Sequence, residues 1–195
     1  MTTETTETAR TQDESTLTGS YDIDASHSRL GFAAKHAMVA TVRGAFKVYS
    51  GEVHLDEEQP ENSWAKVEID VASVDTGNAD RDAHLRTPDF FDIEKYPTIT
   101  FVSTKVEKVD GDVFTLIGDL TINDKTNPVA VEFELTGTSN DPWGNFRAGF
   151  EGRATVNRRD WDLAWNVALD KGGVLVSEKV KLEFDIAAVK QVAQS

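Results

Sequence analysis

Val129-Ala130-Val131-Glu132-Phe133-Glu134-Leu135 alternates large apolar side chains with Ala or Glu, without a break. A period of two sends successive side chains to opposite faces, so this is an antiparallel strand with one buried and one wet face. Ala65, Val67, Ile69 and Val71 alternate in the same way with Lys66, Glu68 and Asp70, and Val180, Leu182, Phe184 and Ile186 with Lys181, Glu183 and Asp185. Weaker alternations cover residues 28–37, 44–56, 98–109, 112–123 and 146–157. Turn signals separate them: Asp110-Gly111, Asn123-Asp124 and Asp141-Pro142-Trp143-Gly144. Asp110-Gly111 suits a tight primed hairpin turn. Some eight such strands in series favour an all-β barrel or a curled sandwich.

Composition bounds the reading. With 195 residues the chain suits one domain with a sizeable core. A formal net charge of −14 argues against nucleic acid and anionic membrane as partners. There is no cysteine, so disulfides and thiolate chemistry are excluded. No apolar run is long enough for stable membrane insertion. Residues 1–19 are rich in Thr and Glu and poor in large apolar side chains, with neither the basic start nor the apolar stretch of a secretory signal. They read as a disordered tail before a barrel domain over residues 20–192, and the expected location is cytoplasmic.

One helix is expected, over residues 78–87. Asn78 is placed to cap it, Asp80 and Asp82 fall in its first turn, Asp82 and Arg86 are spaced to pair, and Pro88 stops it. Its apolar stripe is narrow, so it covers a barrel end and does not enter a core. Phe90 and Phe91 follow as a plug.

The order of motifs resembles the YceI family of lipocalin-like, polyisoprenoid-binding proteins. The matching residues begin with Tyr21-x-Ile23-Asp24-x-Ser26-His27-Ser28, Gly44-x-Phe46 and Ser73-Val74-Asp75-Thr76. The most specific are Arg81-Asp82-x-His84-Leu85-Arg86, Asp89-Phe90-Phe91-Asp92 and Tyr96-Pro97-x-Ile99-x-Phe101. Gly118-Asp119-Leu120-Thr121-Ile122, Asn157-Arg158-x-Asp160 and Val176-Ser177-x-x-Val180 continue the match to the end of the last strand. Three positions depart from the family pattern: Tyr21 stands for Trp, and Asp124 and Asp162 stand where Gly is usual.

The resemblance implies an elongated antiparallel eight-stranded lipocalin-like barrel, with a short helical segment near one end and an apolar tunnel for a long-chain isoprenoid, isoprenoid quinone or other lipid. Bulky residues can equally well fill a small barrel. The residues alone leave a packed core and a cavity open, and the resemblance favours the tunnel. Each buried methylene contributes about 0.8 kcal/mol, so one isoprene unit adds on the order of 3 kcal/mol before ordering costs. The expected lining is Phe32, His36, Phe46, Val48, Phe101, Leu116, Phe133, Phe150, Trp161, Trp165 and Phe184.

The four histidines, His27, His36, His54 and His84, form no metal-ligand spacing, so neither metal nor cofactor is called for. His36 shares parity with Leu30, Phe32 and Ala34, as an interior hydrogen-bonded side chain or a polar contact near a tunnel mouth. His54 reads as a wet-face residue, and His84 as a brace more than a proton-transfer group. Arg158 and Asp160 read as an ion pair fixing a strand end, or as a head-group clamp. Trp161 and Trp165 either close one end of the barrel or stack on a ring-bearing head group. The chain is expected to be a carrier and not an enzyme. Its rivals are an enzyme using His36 or His84 on a small apolar metabolite, and a filled-core interaction protein that uses its acidic face or forms a homodimer through its strands.

Overall fold

The computed structural model describes residues 16–192, and residues 1–15 of the tail expected over 1–19 lie outside them. The strands are β1 (Gly19–Ile23), β2 (Arg29–His36), β3 (Ala40–Phe46), β4 (Tyr49–Leu55), β5 (Trp64–Asp70), β6 (Val74–Asp75), β7 (Thr98–Asp110), β8 (Val113–Ile122), β9 (Lys125–Asn140), β10 (Phe146–Asn157) and β11 (Val176–Lys190). One helix, α1 (Ala79–Leu85), stands between β6 and β7. β1 pairs with both β4 and β11, so the order β1-β4-β5-β7-β8-β9-β10-β11 closes on itself as an antiparallel barrel of eight strands. This is the architecture read from the alternation and the resemblance.

The closure has a local peculiarity. Residues 188–190 of β11 pair with β1, whereas residues 180–185 pair with β2. β3 and the two-residue β6 extend the sheet beyond β2. The link from β1 to β2 is pinned where Arg147 reaches both Asp24 (2.8 Å) and Asp141 (2.9 Å). Arg147 and then Ser26 hold the Asp24 carboxyl well below the usual carboxylate range. Asn145 and Arg147 do the same for Asp141, against the opposing effect of its burial.

Several expectations shift by a few residues. The strand expected over 44–56 is two, because Ser73 interrupts the ladder: its Oγ accepts from the backbone N–H of Lys47 (3.1 Å) and Val48 (3.0 Å). Gly111 and Asp112, not Asp110-Gly111, form the β7–β8 turn, since Asp110 and Val113 are paired and Gly111 has φ +59°. The helix is shorter than expected, and Asn78 caps it by accepting from Arg81 N (2.9 Å).

The end of the expected tail belongs to the barrel. Tyr21 is fully buried and donates to Leu17 O (2.6 Å), Lys190 donates to Thr16 O (2.7 Å), and Glu57 N donates to Thr18 Oγ1 (3.0 Å). A Trp at position 21 has no hydroxyl for the Leu17 contact.

Candidate functional site

The inward faces of the strands enclose a cavity of about 510 Å³. That is within the range of about 300–1,000 Å³ typical of small-molecule sites. Leu30, Phe32, Phe46, Val67, Ile69, Phe101, Leu116, Val131, Phe133 and Phe184 contribute to an almost wholly apolar wall. So many phenylalanines could fill a barrel of this size, and glycines explain why they do not.

Phe133 lies directly across from Gly152, and a Cβ built on Gly152 would fall 2.3–2.7 Å from three atoms of its ring. Phe32 covers Gly44 in the same way (2.4 Å), and Phe101 covers Gly118 (2.4 Å). Each glycine opens a recess in the wall, and the ring from a neighbouring strand lies back into it. Phe133 then stacks between Phe114 (centroids 5.8 Å, 19° between planes) and Phe184 (6.0 Å, 22°). The aromatic surface thus paves the wall and leaves the lumen open, an arrangement in which an aromatic neighbour shields a strand glycine.

The two ends of the cavity differ. At the first, the wall ends in Leu17, His54, Asp56, Glu57, Ser63, Trp64 and Asp112. The rings of His54 and Trp64 stack at 6.1 Å and 19°, and His54 Nδ1 lies 3.3 Å from Ser20 Oγ. This polar rim carries three carboxylates. Tyr21, Phe146, Ala148 and Ala188 do not line the cavity and belong to a buried core cluster beside it.

At the second end the lining is Leu85, Phe90, Phe91, Ile122, Trp161 and Leu163, with Arg158 among them. The charged stretch after β6 braces this cap. Asp82, buried, accepts from Thr76 N (2.9 Å) and Thr76 Oγ1 (2.6 Å), while Arg81 Nε donates to Thr76 Oγ1 (2.7 Å). Arg86 donates to Ala72 O and Val74 O, both at 3.0 Å. The expected Asp82–Arg86 pair is therefore replaced by two separate anchors, both of which tie α1 to the segment around β6. His84 Nε2 meets Asp89 Oδ2 at 2.8 Å, and its ring stands edge-on to Trp165 (4.6 Å) and Phe90 (5.2 Å). Asn123 Nδ2 donates to Phe90 O (3.0 Å), and Trp161 Nε1 donates to Leu120 O (2.9 Å).

Arg158 is 5% exposed and forms no ion pair with Asp160. Its guanidinium donates to three backbone carbonyls: Ser177 O (2.9 Å), Val176 O (3.2 Å) and Leu163 O. Burial, and then the neighbouring Arg159 charge, lower its pKa below the ordinary arginine value. This side chain joins the loop after β10 to the start of β11. Asp162, where the family pattern has Gly, closes the turn between them with φ +58°. Only Gly, and to a lesser extent Asn and Asp, take this backbone conformation readily, which accounts for the residue types seen there.

Of the eleven side chains expected to line the cavity, eight do: Phe32, Phe46, Phe101, Leu116, Phe133, Phe150, Trp161 and Phe184. Three do not. His36 ends β2 and is exposed, because the strand outruns the barrel and turns outside it. Val48, 57% exposed, falls in the break made by Ser73. Trp165 packs outside the lumen, against His84 and Phe90. Conversely, His54 lines the rim although its strand parity reads as wet-face. The cavity opens at the end of β4, where the wall no longer separates the two faces. Among the described residues no group of three or more His, Asp or Glu could hold a metal ion, and no helix is long and apolar enough to cross a membrane.

Comparison with known proteins places this architecture. The family model for a YceI-like domain matches residues 21–188. The chain belongs to the YceI-like family. A UPF0312 protein of Photorhabdus laumondii is 41% identical over 151 residues, covering 76% of this chain and 78% of that protein. The crystal structure of the YceI protein of Campylobacter jejuni is similar with a TM-score of 0.71 and 30% identity, over 81% of this chain and 90% of that one. A polyisoprenoid binding domain from Saccharophagus degradans shares the fold at a TM-score of 0.63 and 17% identity, over 88% of this chain and 98% of that domain.

Proposed function

We propose that this YceI-family barrel is a carrier that holds a long apolar molecule, of the polyisoprenoid or isoprenoid quinone class, in its lumen. The observation that carries this reading is the paved wall. Three glycines draw phenylalanine rings back against the sheet and keep about 510 Å³ of apolar space open along the barrel. A packed structural core has no use for that arrangement, because each recess forgoes a side chain that would fill the interior. The polyisoprenoid binding domain that shares the fold supports the same class of guest.

The rim refines the guest. Asp56, Glu57 and Asp112 line the rim, so a phosphate or pyrophosphate head would meet like charge there. A hydroxyl or quinone end, with His54 and Ser63 as polar neighbours and Trp64 as a flat apolar one, fits better. The enzyme reading gains nothing from the geometry: His36 is exposed, His84 is paired with Asp89, and neither lines the lumen.

Organic extraction of the purified protein, followed by mass spectrometry and by loading with a neutral polyprenol, tests this directly. The expected result is a stoichiometric apolar guest, native or added. A protein that yields none and takes up none is not a carrier.

A further inference from the structure

The hairpin joining β2 to β3 has an unusual tip. Its turn, His36-Ala37-Met38-Val39, is closed by Val39 N donating to His36 O at 3.1 Å, and both central residues have positive φ, +48° at Ala37 and +63° at Met38. Asn and Gly are the ordinary occupants of such a primed turn. Here an apolar Ala-Met pair occupies the left-handed region, and the turn holds Met38 and Val39 out in solvent, 58% and 83% exposed. Val167, 47% exposed, lies on the neighbouring loop, which touches the hairpin where Ala37 N donates to Leu175 O (2.7 Å) and Met38 packs near Gly173.

The charge around this tip runs against that of the molecule. Residues 29–51 carry Arg29, Lys35, Arg43 and Lys47 and not one Asp or Glu, in a chain of net charge −14. Lys181, Ala33 and Arg43 form one row across β11, β2 and β3 on the outer face, and Lys35 lies two residues further toward the tip. Among the described residues no ion pair engages Lys35, Arg43, Lys179 or Lys181, and Lys171 stands exposed on the adjoining loop. The acidic groups nearby are Glu178, held by Arg159 at 2.9 Å, Glu183, which faces Arg29 at 4.0 Å, Asp75, which faces Lys47 at 3.8 Å, and the exposed Asp170. The carboxylates that line the cavity belong to its rim, at the opposite end of the barrel.

We infer that this hairpin docks the protein on the surface of an anionic lipid bilayer, Met38 and Val39 entering the headgroup layer and the lysines and Arg43 meeting lipid phosphates. Apolar tips framed by basic side chains bind interfaces in this way, by burial and charge together. The net charge alone argues against any anionic surface, but screening confines its reach to roughly 8–10 Å, so the local patch decides at contact. Docked so, the capped end of the lumen faces the membrane and the acidic rim faces away from it.

The test is vesicle flotation of the full chain with phosphatidylcholine alone and with phosphatidylcholine containing phosphatidylglycerol. Binding is expected to the anionic vesicles only, and to fall as salt is raised. Each basic side chain near an anionic leaflet contributes roughly a fivefold gain in affinity, so Lys35→Glu with Arg43→Glu is expected to weaken binding by at least about tenfold. Met38→Asn with Val39→Ser is expected to weaken it as well, with Asn at ease in the turn and the melting temperature as a check on folding. Equal binding to both vesicle types, or to neither, overturns the inference. So does a concentration-dependent dimer in sedimentation that the same substitutions abolish, since the patch would then serve a second copy of this chain. Flotation reads the outer surface, so its outcome is separate from whether the lumen holds an isoprenoid.

Discussion

The two ends of the barrel are built on opposite plans. The capped end closes around Trp161, Phe90 and Phe91, and its polar groups are spent on backbone: Arg158 on three carbonyls, Arg86 on two, Asp82 on Thr76. The rim at the other end is partly exposed, with Trp64 at 36%; there Asp56 is held by the backbone of Glu58 and Gln59, while Glu57 and Asp112 line the cavity and stay exposed. A polar group locked to backbone holds shape, whereas one left at an opening selects what enters. The polar groups of the cap therefore hold shape, while the exposed carboxylates of the rim meet what enters.

Substitutions can break that division. Arg158→Ala removes this donor from the carbonyls of Leu163 and Ser177, while Val176 O keeps Asn166 Nδ2 (2.7 Å), and an orphaned buried acceptor costs about 1–3 kcal/mol. Urea denaturation is expected to show a loss of about 3 kcal/mol or more. An unchanged midpoint would remove the cap from its structural role.

Gly152→Val acts midway along the lumen by pushing Phe133 off the wall. Overpacking of this kind costs roughly 1–3 kcal/mol, and polyprenol loading should fall about tenfold while the fold persists. Loading at the wild-type level would show that the recess is not what keeps the lumen open.

Acid should weaken the Arg147 clamp. Asp24 and Asp141 have depressed pKa values in the folded state. The stability they confer is present above the unfolded carboxylate value of about 4, and is lost as pH falls below it toward the folded values. Thermal melts are expected to fall between about pH 4 and pH 2, and Arg147→Ala to flatten that slope. An identical slope in the variant would place the acid-sensitive groups elsewhere. Trp64→Ala at the rim is expected to change stability by less than about 1 kcal/mol, since the ring is partly exposed, yet to alter the rate of uptake in stopped-flow loading.

The barrel was legible because alternation along residues 65–71, 129–135 and 180–186 admits only a two-faced sheet. The family motif then supplied closure, which local periodicity cannot express. Parity also found most of the wall, from Phe32 to Phe184. It failed wherever a strand did not behave as an unbroken strand: at Val48, where Ser73 intrudes; at His36, where β2 outruns the barrel; and at His54, where β4 reaches the rim. The open lumen itself was written in Gly44, Gly118 and Gly152, a small residue in the middle of a strand pattern each time. Which ring lies over which glycine depends on pairing between strands. No single segment carries that information.

The most direct test of an apolar lumen read from one rim is a calorimetric titration with neutral polyprenols of increasing length. Affinity should rise with each added isoprene unit until the cavity is filled and then level off, and the matching polyprenyl phosphates should bind more weakly. Affinity that ignores chain length, or that favours the phosphates, would contradict the account.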